Sequence, residues 1–343
     1  MNIKQRLGLF GSRFGLPVIG LLLVGVFSAL LPATFPNPTT ALAIFDAEVI
    51  IIMLALAEML VLVVGEQDLS LGYGIGLMHI LSLGFIVRDH LPWGVSVVLV
   101  LLIGALIGAA NAFFVTIIKI NSFIATLGVG TVLYAISNWY TNSLQVIGPL
   151  PEGFVNIYAG KIFGAPIAIV YIVILVVGLW LILDFTVVGR YLYALGGNRK
   201  AAELSGIRPK RYIFGVWMAV GLIMGFAGIV LGSRLQIGSA GTGPDFLLPV
   251  FAGAMLGTTT IKPGRPNPLG TIVAVTVLGI GIAGFEQLGS STPFIVPLFN
   301  GSTLLIGVGL AVYAAQRVRA SNTATVSTKP TEYTTQIQVV NKK

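Results

Sequence analysis

Residues Gly189–Arg211 read GRYLYALGGNRKAAELSGIRPKR and form the one long polar interruption in an otherwise apolar chain. The stretch carries six of the twenty Lys and Arg residues, and hydrophobic runs lie on both sides of it. Basic segments between apolar runs are typical of the cytoplasmic loops of membrane proteins. We therefore interpret residues 184–213 as a large cytoplasmic loop between two membrane spans.

The middle of this basic loop predicts a short helix. Gly196 and Gly197 are expected to break the preceding span. The side-chain oxygen of Asn198 can accept a free backbone N–H at the helix start. Gly206 is well placed as the C-terminal stop. About two turns remain between them, and a helix this short is marginal in water unless it docks on a surface.

The short helix has features that indicate a partner. Ala201 and Leu204 fall on one face of it. Arg199 and Lys200 stand in its first turn, where the helix dipole disfavours cations. Such placement indicates an acidic partner surface, and the alternative is that these cations only hold the loop on the cytoplasmic side.

The composition places the chain in the membrane class. Of its 343 residues, 56% are hydrophobic and 9% are charged, whereas soluble domains carry about 25% charged residues. There is no cysteine, so thiol chemistry is excluded, and two histidines are too few for a histidine-rich metal site. The net charge of +8 lies beside apolar spans, which indicates the membrane surface and no nucleic-acid partner.

The apolar runs predict an all-α polytopic membrane protein with about ten transmembrane helices. The candidate spans are Leu16–Leu31, Ala47–Val64, Ser70–Val87, Gly94–Ile117, Phe123–Tyr140, Pro166–Leu183, Phe214–Leu231, Phe246–Thr258, Leu269–Phe285 and Phe294–Tyr313. Phe246–Thr258 is short for a crossing, and Ser70–Val87 is interrupted by Gly72, Gly74 and Gly76. We expect both to be broken or partly re-entrant helices.

Charge placement predicts the orientation of these spans. With the N-terminus inside a bacterial plasma membrane, most cations lie in cytoplasmic segments, and the outer segments collect Arg88, Lys161 and Arg234. Residues 1–15 are then a cytoplasmic N-terminus, residues 16–313 the transmembrane domain and residues 314–343 a disordered cytoplasmic tail. The first span resembles a signal peptide, but no small-residue cleavage site follows it, so we take it as uncleaved.

Two stretches of the chain indicate an internal repeat. Gly108–Gly130 and Gly279–Gly301 align with shared glycines at both ends and with the Phe-Ile pairs 123–124 and 294–295. The offset is five spans, so the two copies are expected to have opposite membrane orientations. Inverted repeats with discontinuous helices are typical of transporters.

The chain lacks a nucleotide-binding motif that could drive transport. A P-loop needs G-x-x-x-x-G-K followed by Ser or Thr. The single Gly-Lys pair, Gly160–Lys161, is followed by Ile162 and has Val155 where the first Gly belongs. Transport must therefore use an ion gradient or ATP hydrolysis by another subunit.

Polar residues within or beside the spans are candidates for a translocation pathway or gate. They are Glu58, Asp68, Ser70, Asn111 and Asn300. Structural roles are also open: Asp68, helped by Ser70, can cap the third span, and Asn111 and Asn300 can bond across helices. Glu58 is costly in a span, so it faces a cavity, a partner, a dimer interface or the lipid edge.

Several motifs match a known family in order. Gly65–Gly72 reads GEQDLSLG and resembles GGIDLSVG, and Phe123–Gly128 reads FIATLG and resembles PFIATLG. Gly189–Ile207, Ala240–Gly243 and Leu256–Thr259 follow in the same order. Over about residues 49–313 the chain resembles sugar-type ABC importer permeases, the group of ribose and autoinducer-2 permeases.

The resemblance implies a permease subunit that makes no covalent bonds and binds no cofactor, with ATP used by a partner subunit. The implied partners are an ABC ATPase, an extracytoplasmic solute-binding protein, a second permease copy in a homo- or heterodimer, and the lipid bilayer. The loop helix would be the coupling helix that sits in the ATPase. Its coupling residues would be Gly196, Gly197, Asn198, Arg199, Ala201, Leu204 and Gly206.

The chain departs from the family pattern at a few positions. Glu66 and Gln67 replace the usual Gly and Ile, and Glu58 stands where a small residue is common. Two alternatives therefore stay open. One is an ABC permease for branched-chain amino acids, and the other is a stand-alone, ion-coupled secondary transporter.

Overall fold

The computed structural model describes residues 3–289, 294, 296–303, 305 and 309, and these residues fold as an all-α membrane protein. The helices are α1 (Ile3–Leu30), α2 (Pro38–Val63), α3 (Ser70–Val87), α4 (Trp93–Phe113), α5 (Ser122–Thr141), α6 (Glu152–Ala159), α7 (Ile167–Phe185), α8 (Val187–Gly197), α9 (Arg199–Leu204), α10 (Pro209–Leu235), α11 (Leu247–Gly257) and α12 (Pro268–Gln287). A π-helical turn, Phe114–Ile118, extends α4. A small antiparallel hairpin pairs β1 (Lys161–Ile162) with β2 (Ala165–Pro166).

Seven helices in the described part of the chain are long and apolar enough to cross a membrane. They are α1, α3, α4 with its π-helical turn, α5, α7, α10 and α12. Helix α2 has 26 residues but carries three acidic ones, and α11 has 11 residues. Each of the first nine predicted spans coincides with one of these helices. The tenth overlaps a helix at residues 296–303 and otherwise lies largely outside the described residues.

The prediction of a broken third span is wrong. Helix α3 is continuous, and its glycines are places of close backbone approach. A Cβ atom added at Gly76 would lie 3.0 Å from the Cα of Gly243, and one at Gly72 would lie 2.8 Å from the Cβ of Leu247. Small residues at helix contacts are common in membranes because they let backbones approach.

The predicted span Phe246–Thr258 is a short continuous helix, α11, and the irregular backbone lies before it. Residues 236–246 lie beside α3 and form two 3₁₀ turns before α11 begins at Leu247. Gly238 pairs with Val146 through two backbone hydrogen bonds of 2.9 Å, and the amide of Ser239 donates to Nε2 of His79 (3.2 Å). Irregular backbone at membrane depth requires such partners in protein.

The core lies around α2, α3 and α10, each of which has more than half of its residues buried. Helices α1, α4 and α7 surround this core and expose large apolar side chains such as Leu21, Leu106 and Ile174. A continuous apolar exterior is what lipid chains require, because they cannot solvate polar groups.

Polar ties between the helices fall into two groups that match the predicted sides of the membrane. Predicted cytoplasmic segments are joined by Glu66–Arg199 and Asp184–Lys262. Predicted outer segments are joined by Asp46–Arg234. Since each pair joins segments assigned to one side, the alternation of spans is internally consistent.

Two predicted features lie partly or wholly outside the described residues. The tail at residues 314–343 lies entirely outside them, and the second repeat copy, Gly279–Gly301, lies outside them in part. The first copy is a helix–turn–helix formed by α4 and α5. The inverted relation of the two copies stays a prediction.

Candidate functional site

Four of the five predicted pathway residues lie together in one buried polar cluster. Oε2 of Glu58 on α2 accepts from the backbone amide of Asp68 (3.1 Å). Oδ1 of Asp68 accepts from the amide (2.8 Å) and the hydroxyl (2.5 Å) of Ser70. Oγ of Ser70 in turn accepts from Nδ2 of Asn111 on α4 (2.8 Å). We call these four residues the buried polar cluster.

The position of Asp68 agrees with its predicted role at the start of α3. Its carboxylate accepts the amide of Ser70, which is one of the N–H groups that a helix start leaves without a partner. The N-cap position itself is Leu69, whose side chain forms no capping bond. Asp68, the residue before the N-cap, therefore provides the acceptor for a free N–H at the start of α3, and it also accepts from the Ser70 hydroxyl.

The connection between α2 and α3, residues 64–69, is held by side chains from a second helix. Oγ of Ser122 accepts from the amide of Gln67 (3.2 Å). Oγ1 of Thr126 accepts from the amide of Leu69 (3.0 Å). Both hydroxyls lie on the first turns of α5, one turn apart. Sequence reasoning missed them, although two hydroxyl residues at a spacing of four in an apolar span are a recognisable signal.

The buried polar cluster keeps unused hydrogen-bonding capacity. Oε1 of Glu58 and Oδ1 of Asn111 are buried without a hydrogen-bond partner among the described residues. Unsatisfied buried acceptors are costly, so each is suited to bind a hydroxyl, an amide or a proton when one is presented. The carboxylate, hydroxyl and amide groups of the cluster can bind and orient a polar group by hydrogen bonds.

Asn300, the fifth predicted pathway residue, lies apart from this cluster. It is buried in the helical residues 296–303, and none of the described hydrogen bonds joins it to the other four. Its Oδ1 has no partner among the described residues.

The predicted short helix of the basic loop is present as α9. Oδ1 of Asn198 accepts from the amide of Ala201 (3.0 Å), which confirms the predicted cap. Gly206 follows the helix with a φ of 88°, a left-handed conformation that favours glycine. The predicted break of the preceding span at Gly196 and Gly197 is wrong, because α7 already ends at Phe185, and the two glycines end the separate helix α8.

Helix α8 lies between the end of α7 and the start of α9. Its buried residues, Gly189, Leu192 and Leu195, recur every three positions, which is the pattern of a helix with one face against a surface. Thr186 caps it by accepting from the amide of Gly189 (3.3 Å). Because α8 buries one apolar face and exposes the opposite face, its sequence is more polar than that of the span before it.

The exposed face of α9 carries a large apolar side chain, that of Leu204. Ala202 packs inward, whereas Ala201 is exposed and Leu204 is 83% exposed. A single exposed leucine is common on protein surfaces. This one stands beside a cap and a C-terminal stop that fix the helix, so it is presented in a defined direction.

Gly196 and Gly197 have different surroundings. A Cβ atom at Gly196 would lie 2.1 Å from the carbonyl oxygen of Val63 at the end of α2, so no larger residue fits there without movement. A Cβ atom at Gly197 would meet nothing within 4 Å. Gly196 is therefore a contact between α8 and α2, and Gly197 is open.

Arg199 is paired within the chain. Its Nη1 lies 3.1 Å from Oε1 of Glu66, and the two side chains are 42% and 14% exposed. Lys200 is exposed and has no ion pair among the residues described. The sequence showed Glu66 as a departure from the family motif, but no local pattern could name a partner 133 positions away.

Two further groups tie the ends of the helices. At the end that carries α8, Oη of Tyr193 donates to the carbonyl of Pro266 (2.7 Å), and burial raises the pKa of this phenol. At the opposite end, Tyr158 donates to Asp46, which Arg234 also binds (2.7 Å). Burial, followed by the hydrogen bond to Asp46, raises the pKa of Tyr158.

Comparison with known proteins identifies relatives over most of the chain. Residues 40–310 match the family described as "Branched-chain amino acid transport system / permease component". The ribose import permease protein of Bacillus subtilis is 32% identical, over 90% of this chain and 92% of its own length. The D-allose transport system permease protein of Escherichia coli is 26% identical, over 85% and 90%.

The autoinducer 2 import system permease protein of Photorhabdus temperata is 28% identical, over 90% of this chain and 92% of its own length. No solved structure gave a significant match. The family match covers well over half of the residues and includes both the buried polar cluster and α9. The chain therefore belongs to the family of transport-system permease components that this description names.

Proposed function

We propose that this chain is the membrane-spanning permease subunit of an ABC importer for a sugar or a sugar-like solute. ATP is hydrolysed by a separate subunit, and a solute-binding protein delivers the solute on the outer side. The relatives named above are permease proteins for ribose, D-allose and autoinducer 2. These names support a sugar over an amino acid, although the family description mentions the latter.

The observation that carries this proposal is the geometry of α9. A six-residue helix with a side-chain cap presents Leu204 outward, at the end of the molecule assigned to the cytoplasm. Helices this short need a docking partner. An ATPase cleft that buries Leu204 would supply one, and Gly196, Asn198 and Gly206 would hold the helix in the orientation that fits it.

The mechanism that we propose is alternating access between two copies of the permease. Binding and hydrolysis of ATP would move α9 on each copy, and the helices around the pathway would follow. The buried polar cluster joins α2, α3 and α4, and the α2–α3 connection beside it is bound to α5. A change in the relative positions of these helices would therefore change these hydrogen bonds. No bond of the solute is made or broken in this cycle.

The test is reconstitution into liposomes with the ATPase and the binding protein encoded with this chain. Uptake of labelled D-ribose, D-allose, autoinducer 2 and L-leucine is measured with and without ATP on the ATPase side. We expect ATP-dependent uptake of at least one sugar or of autoinducer 2. If L-leucine is taken up and none of the other three solutes is, the amino-acid alternative is right.

A second candidate, an ion-coupled carrier, is favoured by one observation. Two acidic side chains, Glu58 and Asp68, are buried, and the backbone amide of Asp68 donates to the Glu58 carboxylate. Buried carboxylates are typical of proton and sodium pathways. The test uses the purified chain alone in liposomes under a proton or sodium gradient. Accumulation of solute without ATPase would establish the carrier and exclude the importer.

A further inference from the structure

We infer that the Glu66–Arg199 ion pair transmits movement of α9 to the buried polar cluster, which makes Glu66 a positioning residue for transport. This inference rests on the proposed function, in which an ATPase moves α9. It adds the route by which that movement reaches the interior of the membrane domain. The route has three steps, each carried by contacts between described residues.

The first step is the ion pair itself. Arg199 is the first residue of α9 and follows its cap, Asn198, directly. Its guanidinium lies 3.1 Å from the carboxylate of Glu66, which belongs to the α2–α3 connection. A guanidinium holds a carboxylate with charge-assisted hydrogen bonds in a defined direction. Displacement of α9 therefore pulls or releases Glu66.

The second step is a backbone contact beside this pair. Gly65, with a φ of 78°, lies against Gly196: a Cβ atom at Gly65 would be 3.4 Å from the Gly196 carbonyl oxygen. A Cβ atom at Gly196 would lie 2.1 Å from the Val63 carbonyl oxygen. The junction of α8 and α9 thus touches the α2–α3 connection at two neighbouring places, one ionic and one steric.

The third step leads from the connection to the buried polar cluster. The amides that follow Glu66 are bound by side chains in succession: Gln67 by Ser122, Asp68 by Glu58, Leu69 by Thr126 and Ser70 by Asp68. These side chains come from α2, α5 and the connection itself. Since Ser70 also binds Asn111, a shift of the connection changes contacts with three helices together.

The exposure of the ion pair separates this role from a purely structural one. Solvent reaches the Arg199 side chain, which is 42% exposed, so it screens the pair and limits its contribution to the stability of the fold. If the ion pair served folding alone, its removal would change the stability of the protein very little. If it transmits movement, its removal would reduce the response of the α2–α3 connection during turnover, when α9 moves.

The experiment measures hydrogen–deuterium exchange of residues 64–70 in the complete complex of permease, ATPase and binding protein, without nucleotide and with ATP. The variants are Glu66→Gln, Arg199→Gln and the reversed pair Glu66→Arg with Arg199→Glu. Arg208→Gln is the matched control, because it removes one cation from the same loop and Arg208 has no ion pair among the described residues. Co-purification of the ATPase and its hydrolysis rate are recorded for every variant.

In the wild type we expect ATP to change the exchange of residues 64–70. In the two single variants this ATP-dependent change should fall about threefold, the size of effect expected for an ion pair that solvent screens from one side. The reversed pair should restore part of it, and Arg208→Gln should behave as wild type. ATPase binding and hydrolysis should persist in Glu66→Gln and in Arg208→Gln.

Two results would overturn the inference while the proposed function stands. One is an ATP-dependent change of wild-type size in the single variants. The other is a wild-type complex that hydrolyses ATP without any change in residues 64–70. An ATPase that never co-purifies with the wild-type chain would instead overturn the proposed function, and the inference with it.

Discussion

Nδ2 of Asn111 lies 2.8 Å from Oγ of Ser70, although 41 positions separate the two residues in the chain. The contact joins the first residue of α3 to the inner part of α4, and Ser70 simultaneously donates to Asp68. One hydroxyl thus links Asp68 to Asn111, and it is the acceptor that Nδ2 of Asn111 uses. The relation makes Ser70 the central member of the buried polar cluster.

Ser70→Ala is expected to lower the stability of the protein. Removing the hydroxyl leaves Nδ2 of Asn111 buried without an acceptor, and such a group costs about 1–3 kcal/mol. The matched control is Ser137→Ala, because Ser137 is also buried but its hydroxyl donates only within its own helix, to Leu133. Thermal unfolding in detergent, followed by tryptophan fluorescence, should show a clear drop in Tm for Ser70→Ala and a small one for the control.

Glu58→Gln and Glu58→Leu should differ in their effect. The amide oxygen of glutamine can still accept from the amide of Asp68, so Glu58→Gln should keep a Tm close to wild type. Leucine removes that acceptor and leaves a buried N–H unpaired, at a cost of about 1–3 kcal/mol. Equal Tm values for the two variants would show that the Glu58–Asp68 hydrogen bond does not support the fold.

Gly196→Ala should destabilise the junction between α8 and α2, whereas Gly197→Ala should not. The added methyl at Gly196 meets the Val63 carbonyl at 2.1 Å, and overpacking of this kind costs about 1–3 kcal/mol. The methyl at Gly197 meets nothing within 4 Å. The two adjacent substitutions form a matched pair for Tm and for ATPase co-purification, and similar losses in both would contradict the close contact.

Leu204→Asp should weaken ATPase binding while the permease still inserts in the membrane. Full burial of a leucine is worth about 2 kcal/mol, so losing it reduces affinity roughly 30-fold. Leu204→Met preserves an apolar side chain of similar volume and serves as the control. Affinity is measured by titrating detergent-solubilised permease with ATPase, and wild-type affinity of the aspartate variant would show that Leu204 faces solvent in the complex too.

The helices of this protein were largely predictable because lipid imposes a simple rule. A segment that crosses the bilayer must satisfy its own backbone and stay apolar, so the spans at α4, α7 and α10 stand out as long apolar runs. The same rule predicted the polar residues worth attention. Glu58, Asp68, Ser70 and Asn111 were chosen because polar groups near apolar spans need a reason.

Their assembly into one cluster was not predictable from local patterns. It depends on how α2, α3 and α4 are set against each other along their axes, and a shift of one turn would separate the residues. The ion pair of Glu66 was not predictable for the same reason, because its partner, Arg199, lies in a different segment of the chain. Asn300 was also selected as a polar residue in an apolar span, but it lies apart from the other four residues.

The mistaken break in α3 has a different origin. Glycine lowers helix propensity in water, and three glycines at alternate positions indicated an interruption. In the folded protein tertiary contacts offset this penalty, because Gly72, Gly74 and Gly76 receive close neighbours. Breaks occur instead where backbone groups find partners outside a helix, as at residues 236–246.

The approach of Gly72 and Gly76 to Gly243 also has a mechanical consequence. Where side chains interlock, two elements are held in register like teeth, and moving one past the other requires repacking. Here bare backbone meets bare backbone, with Cβ positions on either side already within about 3 Å of main-chain atoms. The two elements are held together by close backbone contact and not by interlocking side chains, which allows small shear along the axis of α3. The segment before α11 can therefore slide along α3 without repacking of side chains.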